Sequence, residues 1–157
     1  MLSGLGHKLI EVDFSELTSG ICSYYVIAPA ECSSNLSRFD GVKYGYRSKG
    51  AKDIANLYMN TRSDGFGDEV KKRILIGTHV LSAGFYDAYY LQAQKVRRMI
   101  KLKFENFFKD VDLIFMPTTL DQAFEKNRKS DDPNRMYKED LLTIPCLLYT
   151  SDAADDL

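Results

Sequence analysis

The side chains that could do chemistry are few and loosely grouped. Ser33 and Ser34 are adjacent hydroxyls, the kind of pair from which a nucleophile is drawn. No glycine flanks them to expose an Oγ or to supply an oxyanion hole, so a helix-surface or capping role is the reading they support by themselves. Cys22, Cys32 and Cys146 are odd in number and make no CxxC, and His7 and His79 are the only histidines, which argues against a zinc site or a disulfide framework. Cys32 lacks a sequence-local base, and His79 falls in an apolar helical stretch as a packed core histidine. There is no G-x-S-x-G elbow, no H-E-x-x-H, no Walker loop and no G-x-G-x-x-G opening a helix. Local chemistry alone reads as non-catalytic.

The elements that must position these residues sit in a chain of 157 residues with 45% hydrophobic and 27% charged side chains, a globular composition suited to about one domain. Its 21 Lys and Arg against 22 Asp and Glu leave a net charge of −1, so bulk electrostatics favour neither nucleic acid nor membrane. No apolar run approaches the roughly 20 residues of a spanning helix, and the first residues lack the cationic and apolar blocks of a signal peptide, so a soluble, cytoplasmic protein is expected. The charge is segregated all the same. Residues 1–67 carry 7 basic and 7 acidic side chains, 68–109 carry 9 and 4, and 110–157 carry 5 and 11. A basic middle therefore meets an acidic tail, as two solvated faces of one fold would.

Gly6 is a plausible helix stop, and the alternation of Ile10, Val12 and Phe14 with Glu11 and Asp13 predicts a half-buried strand. From Tyr24 to Phe39 the apolar residues recur at helical spacing, with Pro29 expected to kink the helix because it has no N–H and crowds the preceding turn. Residues 42–50 alternate Tyr and Gly with Lys and Arg, a loop in which Gly45 and Gly50 permit tight turns. Short helices are expected over 52–61 and from near Asp68, where two acids suit the positive end of the helix dipole. Phe85, Tyr89, Ala93, Val96, Ile100, Phe104, Phe107 and Phe108 recur at steps of three or four, which predicts a long helix with one buried face and with Lys95, Arg97, Arg98, Lys101 and Lys103 in water. Residues 111–116, ending at Pro117, predict a largely buried strand. A polar loop over 121–134 and a short helix over 136–142 follow. The order of elements argues for α/β layering, yet two or three strands cannot make a sheet with both faces covered, so the chain reads as part of something larger.

Longer strings carry more information. Ser23-Tyr24-Tyr25-Val26-Ile27-Ala28-Pro29-Ala30-Glu31, the S-N-L-S-R-F-D-G string over 34–41, the R-S-D-G-F-G-D-E-V string over 62–70, Leu81-Ser82-Ala83-Gly84-Phe85-Tyr86-Asp87-Ala88-Tyr89-Tyr90 and Gln94-Lys95-Val96-Arg97 closely resemble the glutaminase A-subunit family of glutamyl-tRNA(Gln) amidotransferases, a branch of the amidase-signature enzymes. The resemblance runs over 8–145 without obvious insertion. It implies an α/β chain: a partial amidase-signature fold, a mixed β-sheet covered by helices and incomplete here, with residues 1–145 a fragment of one domain.

The resemblance also implies a function. Members of the family release ammonia from glutamine with a Ser-Ser-Lys set, and the ammonia serves the ATP-dependent conversion of Glu-tRNA(Gln) to Gln-tRNA(Gln). The nucleophile segment lies upstream of the region matched here, so no catalytic residue is expected in this chain. The partners implied are amidotransferase subunits B and C, with the tRNA held mainly by the first of these. ATP and Mg belong to the partner's chemistry, and this chain is expected to bind no cofactor or metal. Matching strings puts the glutamine contacts on Tyr24, Arg73 and Asp140. An Arg fork satisfies the α-carboxylate with two parallel hydrogen bonds, a carboxylate takes the α-ammonium, and a Tyr hydroxyl completes the polar cage. Without the resemblance these are a half-buried ring, a solvated helix charge and a surface acid.

There are departures from the family pattern. Residues 116–124 match a family loop loosely and lack its second proline. Residues 146–157 resemble the translation of a sequencing adapter rather than a family sequence, and Met1 resembles an internal methionine of the family chain. Two other readings remain open. One is a stand-alone amidase acting on a different amide; the other is a non-enzymatic helical interaction module that uses the basic face around Arg97.

Overall fold

A computed structural model describes residues 2–123 and 135–150. Among the described residues there are six α-helices: α1 Gly20–Leu36, α2 Ile54–Gly65, α3 Asp68–Val80, α4 Leu91–Phe107, α5 Arg135–Glu139 and α6 Ile144–Thr150. Two 3-10 turns, Ser3–Leu5 and Ser15–Ser19, precede α1, and a π-helical turn, Tyr86–Tyr90, leads into α4. Residues 124–134, 151–157 and Met1 lie outside the described residues, and with them most of the polar loop expected over 121–134 and the end of the tail expected to be foreign to the family. Among the described residues no helix is long and apolar enough to cross a membrane.

The expected α/β layering is not what forms, because neither expected strand does. Among the described residues there is no strand, and 10–14 and 111–116 are irregular backbone. The physical reason is the absence of a neighbour. A period-two apolar pattern becomes a strand only when another strand takes its N–H and C=O groups. Ile10 is 41% exposed, Leu113 78% and Phe115 84%, so these side chains find no second layer either. In the first segment Phe14 is anchored, its ring lying 5.8 Å from Phe104 and 5.3 Å from Phe107.

The chain divides into two compact units, Met1–Tyr24 with Lys95–Leu157, and Tyr25–Gln94, the divisions falling inside α1 and α4. In the first, Leu17, Ile100, Phe104, Ile144 and Leu148 are buried. Gly20 opens α1 against this cluster; a β-carbon there would stand 3.1 Å from Ile100 and 3.4 Å from Ile144 and Leu148. Tyr149 stacks on Phe104 at 4.9 Å. The segment 146–150 thus supplies part of α6 and of this cluster.

Arg97 belongs to the same cluster and corrects the sequence reading. Expected on the wet face of α4, it is 5% exposed, because the buried positions Ile100 and Phe104 continue its row at steps of three and four. Its Nε donates to the Leu148 carbonyl at 3.1 Å. That carbonyl lies in the last turn of α6, where helix geometry leaves oxygens without an intrahelical donor. A buried guanidinium and an orphan carbonyl satisfy each other. The basic face needed by the interaction-module reading therefore does not present Arg97.

In the second unit Ile27, Ala30, Leu57, Val80 and Ala93 are buried. The kink-prone Pro29 lies inside α1, and α3 meets it with its smallest residue, Gly77. Ser33, on the same side of α1, shares a 2.9 Å hydrogen bond with Thr78, the helix-surface role its sequence context supports. His79, expected in the core, is exposed in the last turn of α3 and packs on Phe85 at 4.1 Å. The run that reads as one long helix from Phe85 is broken instead. Gly84, at φ 87°, reverses the chain, and Tyr86 and Tyr90 stack at 5.1 Å across the π turn before α4 begins.

Helix α2 is capped by Asp53, whose Oδ1 accepts from the Asn56 N–H at 2.7 Å while Oδ2 accepts from the Asn56 side-chain amide at 2.7 Å. The backbone bond first, and the amide bond second, hold the carboxyl below the usual carboxylate range. Since folding lowers this pKa, the cap's contribution is complete above the unfolded carboxylate range and is lost as pH falls through the lowered value. Asp53→Asn keeps an acceptor oxygen but cannot titrate. The difference in urea midpoint between parent and Asp53→Asn at pH 7 is expected to shrink as the pH is taken below about 4; a gap independent of pH would contradict the charged cap.

Candidate functional site

The two most distinctive strings fold onto each other in the second unit. Arg62, in the last turn of α2, donates through Nη1 to the carbonyls of Leu36 at 2.9 Å and Phe39 at 3.3 Å. Leu36 ends α1, so Arg62 does for α1 what Arg97 does for α6, feeding donors to terminal carbonyls. Its guanidinium also lies 5.1 Å from the centre of the Phe66 ring. Gly41, at φ 84°, lets the chain pass over Thr61, whose Oγ1 would be 2.6 Å from any β-carbon there. Thr61 is buried and accepts from the Ser48 N–H at 3.1 Å. Asp40 closes its own turn by accepting from the Val42 N–H at 2.8 Å. The S-R-F-D-G and T-R-S-D-G residues are thus structural joints between α1, the loop 41–52 and α2.

This frame leads directly into α3, which carries Arg73. Gly67 is the N-cap, and Asp68 and Glu69 occupy the first turn, where the exposed N–H groups favour negative charge. Lys71 pairs with Asp68 at 3.0 Å and donates to the Ser63 carbonyl at 3.3 Å, tying the helix start to the preceding loop. Arg73 is half-buried on the next turn, and its Nε donates to Glu69 Oε1 at 3.1 Å. A fork held by its Nε has a defined plane, which is what two-point recognition of a carboxylate needs.

Tyr24 and Asp140 belong to the first unit. Tyr24 is half-buried on α1. Asp140 is half-buried in the turn joining α5 to α6, where its carbonyl accepts from the N–H groups of Thr143 at 3.2 Å and Ile144 at 3.0 Å. The backbone of Asp140 therefore closes the turn that leads into α6. The helix expected over 136–142 is shorter, Arg135–Glu139, with Asp140 in the turn beyond it. Among the described residues no three His, Cys, Asp or Glu side chains converge in a way that could hold a metal ion.

Two features of this region escape a reading of the sequence. Arg62 and Arg97 look like ordinary surface cations, and the signal that distinguishes Arg97 is its position between Ala93 and Ile100 on the buried row of α4. For Arg62 no comparable signal exists, since its acceptors are backbone oxygens 26 and 23 residues away.

Known proteins resemble this chain closely. The model of the family described as Amidase matches residues 1–155. The A subunit of glutamyl-tRNA(Gln) amidotransferase from Hahella chejuensis is 56% identical over 144 residues, covering 92% of this chain and 30% of the relative. The proteins of that name from Synechococcus elongatus and Thiobacillus denitrificans are 52% and 54% identical over 145 and 147 residues. The chain spans about 30% of the length of these relatives.

Proposed function

The chain belongs to the amidase family, and on that premise we propose that it is the part of a glutamine-hydrolysing amidotransferase subunit that recognises the amino-acid headgroup of glutamine. The observation that carries this reading is identity of 52–56% over 92% of the chain with proteins named as the A subunit of glutamyl-tRNA(Gln) amidotransferase. In it, the Arg73 guanidinium forks onto the α-carboxylate, the Asp140 carboxylate takes the α-ammonium and the Tyr24 hydroxyl completes the cage. Both charges of the free amino acid are then met by an opposite charge, which a simple or lipid amide does not require. Amide cleavage is the work of a Ser-Ser-Lys set to which no residue of this chain is assigned, and the ammonia serves conversion of Glu-tRNA(Gln) to Gln-tRNA(Gln) in the cytoplasm. Subunits B and C are the partners, and ATP and Mg act on the partner. At the level of fold, 10–14 and 111–116 are strands of the family's mixed sheet when the chain has the relatives' full length; the exposed apolar side chains at Leu113 and Phe115 support this.

The test is a chimera in which residues 8–145 replace the matching segment of the Hahella chejuensis protein, assembled with that organism's subunits B and C. The expected result is ATP-dependent Gln-tRNA(Gln) formation with glutamine as nitrogen donor. An assembled chimera that makes none from glutamine, while the unaltered complex does, would overturn the reading.

A further inference from the structure

The loop 41–52 carries Lys43, Arg47, Lys49 and Lys52 and no acidic residue. All four cations are exposed, and Tyr44 and Tyr46 between them are 54% and 55% exposed. Such a loop is normally floppy; here it is fastened from behind. Gly45 and Gly50 take φ of 70° and 78°, the Ser48 N–H is held by Thr61, and Arg47 donates to the Gly41 carbonyl at 3.1 Å. Tyr46 lies against Gly65, where a β-carbon would come within 3.2 Å of its ring, and Tyr44 meets the edge of Phe39 at 6.3 Å.

The two acids that flank the loop are turned to their own backbone, Asp40 to Val42 and Asp53 to Asn56. Asp64 approaches it through Ser48 at 3.4 Å. Among the described residues no ion pair uses Lys43, Lys49 or Lys52. Beside the loop lies an open depression of about 650 Å³ where Arg47, Lys49, Lys52 and Asp53 meet the apolar side chains of Ile54 and Leu57 at the start of α2.

We propose that the loop 41–52 is an RNA-contacting element that grips the phosphate backbone of the tRNA substrate while Tyr44 offers a stacking face. This rests on the functional reading above for the identity of the RNA, and goes beyond it, because that reading gives the tRNA to a partner. Cations alone would suit an acidic protein surface equally well. Exposed aromatic rings interleaved with cations on a pre-shaped loop favour RNA, since every base has a face to stack and every linkage a phosphate to neutralise.

The test is binding of the 157-residue chain to a labelled tRNA(Gln) transcript across a salt series. Three chains are compared, the parent, the triple variant Lys43→Ala, Lys49→Ala, Lys52→Ala, and Tyr44→Ala, each checked for unchanged helix content by circular dichroism. Each lost phosphate contact lowers the slope of log K against log salt by about 0.7–0.9, so the triple variant should lose about 2–3 in slope and at least about tenfold in affinity near 0.1 M salt. Tyr44→Ala should weaken binding by about fivefold or more. An unchanged slope overturns the proposal. So does a triple variant that loses tRNA and polyglutamate binding equally while Tyr44→Ala changes nothing, which would mark an acidic protein as the partner. The two readings separate in the chimera. Ammonia release from glutamine with lysine-independent tRNA binding sinks this proposal alone, and lysine-dependent binding without ammonia release sinks only the functional reading.

Discussion

Replacing Gly77 with alanine is expected to destabilise the chain by about 2–4 kcal/mol, although alanine is the better helix former. The two effects have opposite signs and very different sizes. In an open helix interior, Gly→Ala gains about 1 kcal/mol from backbone entropy. At Gly77 the new β-carbon would run into the Pro29 carbonyl oxygen, stand 2.5 Å from the carbonyl carbon and 2.8 Å from Ser33 Cβ. The first two obstacles are backbone, so no rotamer change relieves them, and α1 and α3 must move apart. Separation also stretches the 2.9 Å bond between Ser33 and Thr78 and loosens Val80 and Ala30 in the same core. Urea unfolding at pH 7 reads the outcome; a Gly77→Ala chain as stable as the parent, or more so, would show that the two helices do not meet as described.

The second large effect concerns activity. Arg73→Ala in the chimeric amidotransferase is expected to lower kcat/KM for glutamine by about 30- to 1000-fold, equivalent to about 2–4 kcal/mol, the cost of stripping one partner from a desolvated charge pair. Asp140→Asn should act in the same direction, because it leaves the ammonium without a counter-charge. Arg73→Lys separates charge from geometry: it keeps the positive charge but cannot form two parallel bonds, so it should fall between parent and alanine variant. Arg73 is half-buried, and its ion pair with Glu69, one turn away on the same helix, is of the i,i+4 kind that adds little to stability. Its loss should therefore leave the urea midpoint nearly unchanged, so a kinetic defect will not be a folding defect in disguise.

Some elements are readable in the sequence because their signals are local. Asp68 and Glu69 after Gly67 mark the start of α3, and Gly45 and Gly50 have the positive φ that their loop suggests. The strands expected at 10–14 and 111–116 do not form because alternation describes only one side of a pairing, and the partner that would complete it is not among the described residues. For Arg97, charge points to water while position points to the core; the structure honours position and supplies the Leu148 carbonyl. Helix α1 begins at Gly20, earlier than the apolar spacing suggests, because Gly20 packs against Ile100. The proposed glutamine contacts are not legible in this sense at all. Tyr24, Arg73 and Asp140 have ordinary neighbours in sequence, and only matching whole strings singles them out.

If this chain supplies a site for a free amino-acid headgroup rather than for any amide, substrate preference must depend on Arg73. The most direct measurement is ammonia release by the chimera from glutamine and from propionamide, each with parent Arg73 and with Arg73→Ala. A strong preference for glutamine is expected in the parent and a collapse of that preference in the variant, with the slow propionamide rate unaltered. Equal use of both amides, or a preference that survives Arg73→Ala, would contradict the headgroup site and favour an amidase of different specificity.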